Sequence, residues 1–439
     1  MLLTMVCALV PQAPVRSVPG QEPEPLTAIR EEIAAMRGDL DAMRREFAAP
    51  DDGTWRLFAN GSDGVNVRGW VAQAFPFGAS TNDGYDGPLT PNDKLNEYQL
   101  TEVYAAFEDA ALFAGEGWSI GFRVDAVYGS DYRFLTSAGL ESTWNTGSRY
   151  GVAVPNAHFV LRTGCVETRL GHFTSPVGFF AVGTDNNFFA TVPYTFQYGE
   201  PFTHTGALAA MPLGDTTKIG LGVTNGWDSS ANWNSSSGTD DWNRHVGAIA
   251  TIEQARLLSS SDTFAGVFLW SQEPDNSGLG RSSRYLHTLV YDLDLGDGWR
   301  CVAQSDFGIQ DNARVDRAPG RSNIATWYGL NQYLFLTLDG EWELGANLEW
   351  FRDSDGFRVA GATPSFGSPR ATSFGRGPFA GNFYRAMLGA KWTPHPNVTI
   401  RPAVLFDAFD GERADDLLPF GSGADRTQLI GMIDLILRF

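Results

Sequence analysis

Apolar and polar residues alternate along most of the chain after Pro50. In WSIGFRVDAVYG, residues 118–129, aromatic and aliphatic side chains take the even positions, while Arg123 and Asp125 take odd ones. The same period of two recurs in EWELGANLEWFRD (341–353) and NVTIRPAVLFD (397–407). Because successive side chains of a strand point to opposite faces, each segment predicts a strand with one apolar and one polar face.

Segments of this kind predict about 16 strands, near residues 64–77, 96–110, 117–129, 156–164, 165–173, 203–212, 216–227, 243–254, 262–272, 283–294, 298–309, 322–338, 340–353, 382–393, 396–408 and 427–439. Many are long enough for a tilted strand to cross a bilayer, which takes about 9 to 11 residues. Strands of soluble sheets are commonly about 5 to 6 residues long. The lengths therefore favour a membrane barrel over a large β-sandwich or propeller, the soluble alternative with the same alternation.

The connections between these strands alternate between short and long. The short ones consist of turn-forming residues, such as GDG at 296–298 and PHPN at 394–397. The long ones lie at 78–95, 130–155, 174–202, 354–381 and 409–426. This order is typical of an all-β, transmembrane, antiparallel up-and-down β-barrel of the outer membrane, with short periplasmic turns and long outer loops. Closure of the barrel leaves no strand edge unpaired in lipid.

The last segment, GMIDLILRF, predicts the closing strand. Its alternation places Ile433, Leu435 and Leu437 toward lipid and Asp434 toward the lumen. With an even number of strands, both ends of the barrel lie on the periplasmic side. The final Phe439 also resembles the C-terminal signal of outer-membrane barrels, which implies the barrel assembly machinery as a partner.

The segment before the barrel has a different pattern. Residues 1–25 hold the apolar run MLLTMVCALV and a Pro-rich stretch without the basic start of a secretory signal, so a signal-like role and a disordered terminus both stay open. Residues 26–49 carry apolar residues three and four apart, which predicts a periplasmic coiled-coil helix. This helix either joins copies of the chain, with a trimer expected, or packs on its own domain. Residues 50–63 are a linker to the barrel domain, residues 64–439.

Composition narrows the classes of function. No stretch approaches the roughly 18 to 20 apolar residues of a membrane-spanning helix, and a net charge of -19 argues against nucleic acid as a partner. Three cysteines are too few for a disulfide framework, and Cys165 and Cys301 either pair or stay thiols. The sequence contains no G-x-S-x-G, H-E-x-x-H or C-x-x-C motif, so we predict no enzyme, no cofactor and no metal site.

Six stretches of the chain carry a resemblance to known proteins: GFRVDAVYGSDYRF (121–134), LGHFTSPVGF (170–179), YTFQYGEPFTHTGALA (194–209), GVTNGWD (222–228), LEWFRDSDGFRV (348–359) and WTPHPNVTIRPAVLFDAFDG (392–411). They resemble an OmpL-like family of outer-membrane β-barrel porins found in planctomycetes and related bacteria. In this order they extend across nearly the whole predicted barrel. The resemblance implies a passive pore and assigns no substrate and no residue roles.

A barrel of about 16 strands encloses an aqueous channel, because it is too wide for side chains to fill. The polar strand faces then line the channel, and rings of charge set ion preference. The predicted pore-lining residues are Arg123, Asp125, Arg162, Glu167, Arg169, Arg300, Asp306, Glu343, Glu349, Arg385, Lys391, Arg401, Asp407, Asp434 and Arg438. For each of them, a simpler role as a hydrated side chain on the wet face stays open.

The connection from 174 to 204 is rich in aromatic residues, which must bury their area somewhere. It holds the same place in the order as the outer loop that narrows many 16-stranded pores. We predict that it forms the constriction. The predicted constriction residues are Asp185, Phe188, Phe189, Tyr194 and Glu200. The alternative is that its aromatic residues pack at a subunit interface.

The sequence thus predicts an outer-membrane porin, a homo-oligomer that passes small hydrophilic solutes or ions down their gradients. A barrel without a transport role, either a structural cell-wall anchor or an envelope enzyme, is the alternative. The acidic balance points to cations, but much of it lies in the predicted outer loops 227–242 and 409–426. Charge selectivity therefore stays open.

Overall fold

The computed structural model describes residues 65–79, 91–109, 117–141, 144, 148–230, 246–274, 281–313, 324–359, 379–412 and 418–439. These residues belong to one compact unit, Thr54–Phe439. The predicted signal-like segment, coiled-coil helix and linker lie outside the described residues.

The sheet consists of sixteen antiparallel strands in one closed ring. The strands are β1 (Val65–Gly78), β2 (Gln99–Asp109), β3 (Trp118–Gly129), β4 (Gly151–Thr163), β5 (Val166–Thr174), β6 (Thr203–Leu213), β7 (Thr217–Thr224), β8 (Gly247–Ala255), β9 (Asp262–Pro274), β10 (Arg281–Gly296), β11 (Trp299–Gln310), β12 (Ala325–Thr337), β13 (Trp342–Asp353), β14 (Gly381–His395), β15 (Val398–Gly411) and β16 (Thr427–Arg438). Each strand pairs with its neighbours in sequence, and β16 closes the ring by pairing with β1, where Trp70 lies opposite Arg438. The predicted up-and-down barrel is confirmed, and the sandwich or propeller alternative is wrong.

Among the described residues, helical structure occurs only in the connections. It consists of α1 (Tyr132–Leu135), the 3-10 turns Thr184–Asn186 and Gly421–Gly423, and a π-helical turn, Thr195–Gly199. No helix in the described ranges is long and apolar enough to cross a bilayer.

The two faces of the sheet have opposite chemistry. On β13 the apolar side chains of Leu344 and Leu348 are exposed, whereas the polar side chains of Asn347 and Glu349 are buried. The neighbouring strands repeat this pattern, with exposed Leu388, Val404, Phe406, Leu429 and Ile433. An apolar outer face and a polar inner face reverse the usual order of a soluble protein. They suit a barrel that is surrounded by hydrocarbon.

The connections give the barrel two different ends. Short turns join β4 to β5, β10 to β11 and β14 to β15, and long connections join the strands at the opposite end. In the β10–β11 turn, Asp297 and Gly298 both have positive φ angles, 52° and 80°. This backbone matches the type I′ turn, whose twist suits a tight hairpin. We call the two ends the short-turn end and the long-loop end.

The two cysteines of the described residues are separate thiols. Cys165 is exposed in the β4–β5 turn. Cys301 is buried on β11, where it accepts a hydrogen bond from Gln332 Nε2 at 3.0 Å. Cys165 and Cys301 therefore do not form a disulfide with each other, which was one of the two possibilities that the sequence left open.

Replacing an outward side chain by a charge should destabilise the barrel in lipid. Leu348 is 63% exposed near the middle of β13. An arginine at the middle of a lipid-facing strand costs about 2–4 kcal/mol. We expect Leu348→Arg to lower the free energy of unfolding from phospholipid vesicles by that amount, as measured by tryptophan fluorescence in guanidinium.

The control is Leu258→Arg, because Leu258 is 79% exposed but lies in the β8–β9 turn, outside the strands. We expect little change in its free energy of unfolding. An equal loss in both variants, or no loss in Leu348→Arg, would contradict the assignment of the outer face to lipid.

Candidate pore and its inward-folded loop

The connection between β5 and β6, residues 175–202, lies inside the barrel, and we call it the inward loop. Its side chains pack on strands far along the ring. Ring centroids are 5.1 Å apart for Phe188 and Phe335 and 5.0 Å apart for Tyr194 and Phe383. The aromatic side chains of this connection therefore contact the inner wall of their own barrel, not its outer face.

Six neighbouring strands each present one polar residue at the same level of the inner wall. In register across β11 to β16, these are Gln304, Asn331, Glu349, Arg385, Asp407 and Gln428. We call this row the polar belt. Arg385 Nε and Nη2 donate to the two carboxylate oxygens of Asp407 at 2.6 and 3.1 Å, and Gln428 Nε2 donates to Asp407 at 2.6 Å. These three members thus hold one another in place through charge-assisted hydrogen bonds.

The polar belt binds the backbone of the inward loop. Glu349 accepts hydrogen bonds from the N–H groups of Tyr194 and Thr195 at 2.8 and 2.6 Å. Arg385 donates to the carbonyl oxygen of Val192 at 2.6 Å. All five residues are buried, and a buried backbone group without a partner costs about 1–3 kcal/mol. The belt therefore supplies the hydrogen bonds that let irregular backbone lie within the lumen.

Amide side chains of the belt hold the part of the loop that leads into β6. Gln304 Nε2 donates to Glu200 Oε1 at 2.6 Å and to Asp306 Oδ1 at 2.8 Å. Asn331 Nδ2 donates to Thr195 Oγ1 at 2.9 Å. Glu200 has no exposed surface (0%). This predicted constriction charge therefore lies against the wall and does not face open water.

Arg401 on β15 is a second anchor, which holds the middle of the loop. Its guanidinium donates to the carbonyl oxygens of Thr184 and Asn187 at 2.8 and 2.6 Å, and to Asp434 on β16 at 2.5 Å. Glu102 on β2 accepts a hydrogen bond from the N–H of Thr184 at 3.2 Å. The loop is thus held by strands from β11 around to β2.

Asp185, the other predicted constriction charge, is also used as an anchor. Its Oδ1 lies 2.6 Å from Arg438 Nη2 on β16, and its side chain is buried. The guanidinium of Arg438 keeps part of its surface exposed. Both acidic residues proposed for the constriction therefore fix the loop to the wall, and an electrostatic effect of either one on passing ions stays a prediction.

Charged side chains that remain partly exposed gather toward the short-turn end of the lumen. Arg162 and Arg169 lie 3.1 and 3.9 Å from Glu167, and Arg300 lies 2.5 Å from Asp292. Exposed pairs of this kind contribute about 0–1 kcal/mol to stability, and these side chains keep part of their surface in contact with water. Within the described ranges, no group of three or more His, Cys, Asp or Glu side chains is arranged to hold a metal ion.

Every predicted pore-lining residue lies on the inner face of its strand, opposite the exposed apolar side chains. Burial divides these residues into two groups. The buried group consists of Asp125, Asp306, Glu349, Arg385, Arg401, Asp407 and Asp434. The partly exposed group consists of Arg123, Arg162, Glu167, Arg169, Arg300, Glu343, Lys391 and Arg438. The second group alone reaches water, and its role in conduction stays a prediction.

Several residues that bind the inward loop were absent from the prediction. Gln304 and Asn331 lie at inward positions of strands that the alternation had identified, but the prediction considered only charged residues. Glu102 is an acidic residue within the largely apolar strand QLTEVYAAFED, a signal that sequence analysis could have used. Trp327 Nε1 donates to the carbonyl oxygen of Gly199 at 3.0 Å, a contact for which the sequence gives no signal.

Burial also perturbs titratable groups outside the strands. It raises the pKa of the Tyr194 hydroxyl in the inward loop well above its ordinary value. In the β3–β4 connection, burial raises the pKa of Glu141 to about 7. Hydrogen bonds from backbone N–H groups, including that of Val154 at 3.0 Å, oppose this shift only in part. Glu141 therefore changes charge near neutral pH.

A closed barrel of sixteen strands, apolar outside and polar inside, with a loop folded into its lumen, has the architecture of an outer-membrane channel. The chain belongs to the family described as "Putative beta-barrel porin-2, OmpL-like", whose model matches residues 64–439. It is an outer-membrane porin, and the family resemblance predicted from the sequence is confirmed.

Solved structures of outer-membrane proteins share this fold. The channel DcaP of Acinetobacter baumannii matches with a TM-score of 0.55 at 13% identity, covering 87% of this chain and 99% of that chain. OprB of Pseudomonas putida matches with a TM-score of 0.53 at 10% identity, covering 86% and 94%. OmpT of Vibrio cholerae, in a trimer form, matches with 0.51 at 9% identity, covering 86% and 100%. A comparison with curated proteins finds no match.

Removing the Arg401 guanidinium should destabilise the barrel strongly. Arg401→Met leaves Asp434 as a buried charge without its partner, a change that costs about 3–5 kcal/mol. We expect a loss of that size in the free energy of unfolding, measured in guanidinium. The variant Arg401→Met/Asp434→Leu removes both charges and should lose less.

The matched control is Arg300→Met, which breaks a partly exposed pair and should cost about 0–1 kcal/mol. If Arg300→Met costs as much as Arg401→Met, then burial beneath the loop does not determine the strength of these pairs.

The stability of the barrel should contain a component that depends on Glu141 and pH. The pKa of Glu141 is raised from 4.5 to about 7, so the folded state holds an extra proton between these values. Stability from this group is therefore greatest below about pH 4.5 and falls as pH rises toward 7. In Glu141→Gln we expect this slope of unfolding free energy against pH to disappear. The exposed Glu97→Gln is the control, and the same flattening in that variant would refute the assignment.

Proposed function

We propose that this porin is a passive diffusion channel for small hydrophilic solutes or ions. The observation that carries the proposal is the partly exposed set of charges on the inner wall at the short-turn end, behind an outer face that is apolar. Charged groups along a lumen orient dipolar solutes and compensate ions for lost hydration. Transport of this kind runs down a gradient and needs no cofactor. Of the residues predicted to line the pore, the partly exposed group lines the water-filled path in this proposal, and the buried group lies on the same inner face.

In this proposal the inward loop is the constriction. Its side chains belong to both apolar clusters of the barrel interior, with Phe189 in one cluster and Tyr194 in the other. Such packing supports a loop that occupies the centre of the lumen. Phe188, Phe189 and Tyr194 form its packed body, and Asp185 and Glu200 fix it to the wall. Solutes pass through the space that the loop leaves.

The orientation of the barrel in the membrane follows from its apolar outer face and from its two different ends. The exposed apolar stripes meet outer-membrane lipid, the short-turn end faces the periplasm, and the long-loop end faces outward. The predicted helix of residues 26–49 then lies in the periplasm, where its heptad pattern supports self-association. We infer a trimer, and we infer that Phe439, which follows β16, is recognised by the barrel assembly machinery. The trimer form of the similarly folded OmpT is consistent with this inference.

The alternatives are a cell-wall anchor and an envelope enzyme. The family and the fold are those of channels, which supports a non-enzymatic role. No contact among the described residues specifically favours an anchor. An anchor would be recognised by the absence of conductance in a protein that is folded and inserted.

Planar-bilayer recording of the purified protein tests the proposal. We expect stepwise conductance from the wild-type protein, and larger steps after deletion of residues 178–196, because this deletion removes most of the inward loop. Heat-modifiable migration on gels checks that both proteins fold, and native electrophoresis reports the oligomeric state.

Two outcomes would contradict the proposal in different ways. A folded wild-type protein without conductance steps would refute the channel. Unchanged conductance after the deletion, together with loss of trimers, would assign the loop to subunit contacts and not to the constriction.

A further inference from the structure

Trp227 is buried although its connection belongs to the long-loop end of the barrel. The residue follows β7, and its side chain is 2% exposed. The backbone on both sides is unusual, with φ angles of +85° at Gly226 and +47° at Asp228. Asp228 is not glycine, so this conformation is strained and requires support.

The support comes from hydrogen bonds to the last residue of the inward loop, to β6 and to β9. Asp228 Oδ1 accepts hydrogen bonds from the N–H groups of Phe202 and Thr203 at 2.8 and 3.0 Å. The N–H of Trp227 donates to Glu273 Oε1 at 3.2 Å. These hydrogen bonds hold the strained turn from both sides. The turn directs the indole of Trp227 into the barrel.

Two arginines flank this indole. The guanidinium carbon of Arg284, on the inner face of β10, lies 4.5 Å from the ring centroid of Trp227. That of Arg358, in the β13–β14 connection, lies 5.1 Å from the same ring. Both distances fall within the range of cation–π attraction. One indole therefore links a strand to a connection that begins three strands further along the ring.

Each arginine is fixed by further contacts. Arg284 Nε donates to Gln310 at 2.6 Å, and Arg284 Nη1 lies 3.7 Å from Glu273. Arg358 lies in a tight turn whose N–H groups donate to Asp353, and its Nε donates to the carbonyl oxygen of Tyr198 at 2.5 Å. The second contact joins the β13–β14 connection directly to the inward loop.

Trp327 on β12 completes the stack. Its ring meets that of Trp227 edge to face, with centroids 6.0 Å apart and an interplanar angle of 87°. Arg358 also lies 5.2 Å from the Trp327 ring, and Trp327 Nε1 donates to Gly199 of the inward loop. The stack therefore covers residues 198–199 of the loop from the long-loop side. Around it lie the buried apolar side chains of Phe173, Val177, Leu286, Phe351, Phe383 and Phe409.

From this geometry we propose that the stack of Arg284, Trp227, Arg358 and Trp327 is a latch over the inward loop. In the closed state it ties two long connections to the constriction and excludes water from this side of the lumen. Trp227 and Arg358 lie on connections, whereas Arg284 and Trp327 lie on strands. The latch therefore opens when residues 226–228 and 357–359 move away from Arg284 and Trp327, and the barrel wall and the polar belt stay intact. The proposal rests on the channel function proposed above.

Trp227→Ala tests the latch in planar bilayers with the full chain. We expect an increase in single-channel conductance of about twofold or more, because a hydrophobic constriction blocks a pore by excluding water from it. We also expect larger polyethylene glycols to enter the pore and reduce its conductance. Trp144→Ala is the matched control, since Trp144 is a tryptophan of another long connection that is 58% exposed. It should behave as the wild-type protein does.

A second pair of variants separates charge from bulk. Arg358→Met keeps the length of the side chain without its charge and should raise the conductance, whereas Arg358→Lys keeps the charge and should raise it less. Heat-modifiable gel migration confirms that each variant folds.

The latch is refuted if folded Trp227→Ala conducts as the wild-type protein does, or if Trp144→Ala raises the conductance equally. Equal conductance of Arg358→Met and wild type would refute the cation–π closure. If the folded wild-type protein and all variants show no conductance steps, the channel function fails, and the latch fails with it.

Discussion

A segment of irregular backbone can lie inside a barrel only if the wall replaces the water that the segment loses. The polar belt and Arg401 meet this requirement by binding the N–H and C=O groups of residues 184–195 directly. Side chains at inward positions are available for this task because the outward positions carry the apolar surface. The position of the loop, and any narrowing of the lumen that it causes, therefore depend on hydrogen bonds between loop backbone and wall side chains.

The wall also makes room for the loop. A Cβ atom at Gly345 would lie 2.4 Å from the ring of Phe188, and one at Gly329 would lie 2.4 Å from Thr195 Oγ1. Glycine at these inward positions lets loop side chains approach the backbone of β13 and β12. The space left by these glycines and the hydrogen bonds of the polar belt thus lie on the same strands. Both place the loop against the half of the ring that contains β11 to β16.

The sequence was sufficient to predict the strands, because the alternation of apolar and polar residues is a local property of each segment. The bounds of β13 differ from the prediction by two residues at the start, and its alternation places Glu343, Asn347 and Glu349 opposite the exposed Leu344 and Leu348. The start of β4 was missed, since the strand begins at Gly151 while its alternation is interrupted where the pairing with β3 shifts between Asp125 and Val127. The partners of the inward loop could not be predicted, because they depend on which strands the loop crosses. Nothing local in GVTNGWD indicates that Trp227 meets a tryptophan on β12.

The belt has a consequence for the order in which the molecule is assembled. The loop follows β5, whereas most of the residues that bind it lie on strands that come much later in the chain, with Arg401 separated from Thr184 by 217 positions. Contacts between such distant positions form late, because a long stretch of chain must be closed first. A nascent chain that lacks β11 to β16 has lost Glu349, Arg385 and Arg401 as ligands for the loop backbone and keeps Glu102 on β2. The inward loop can therefore dock fully only after the C-terminal half of the barrel has formed.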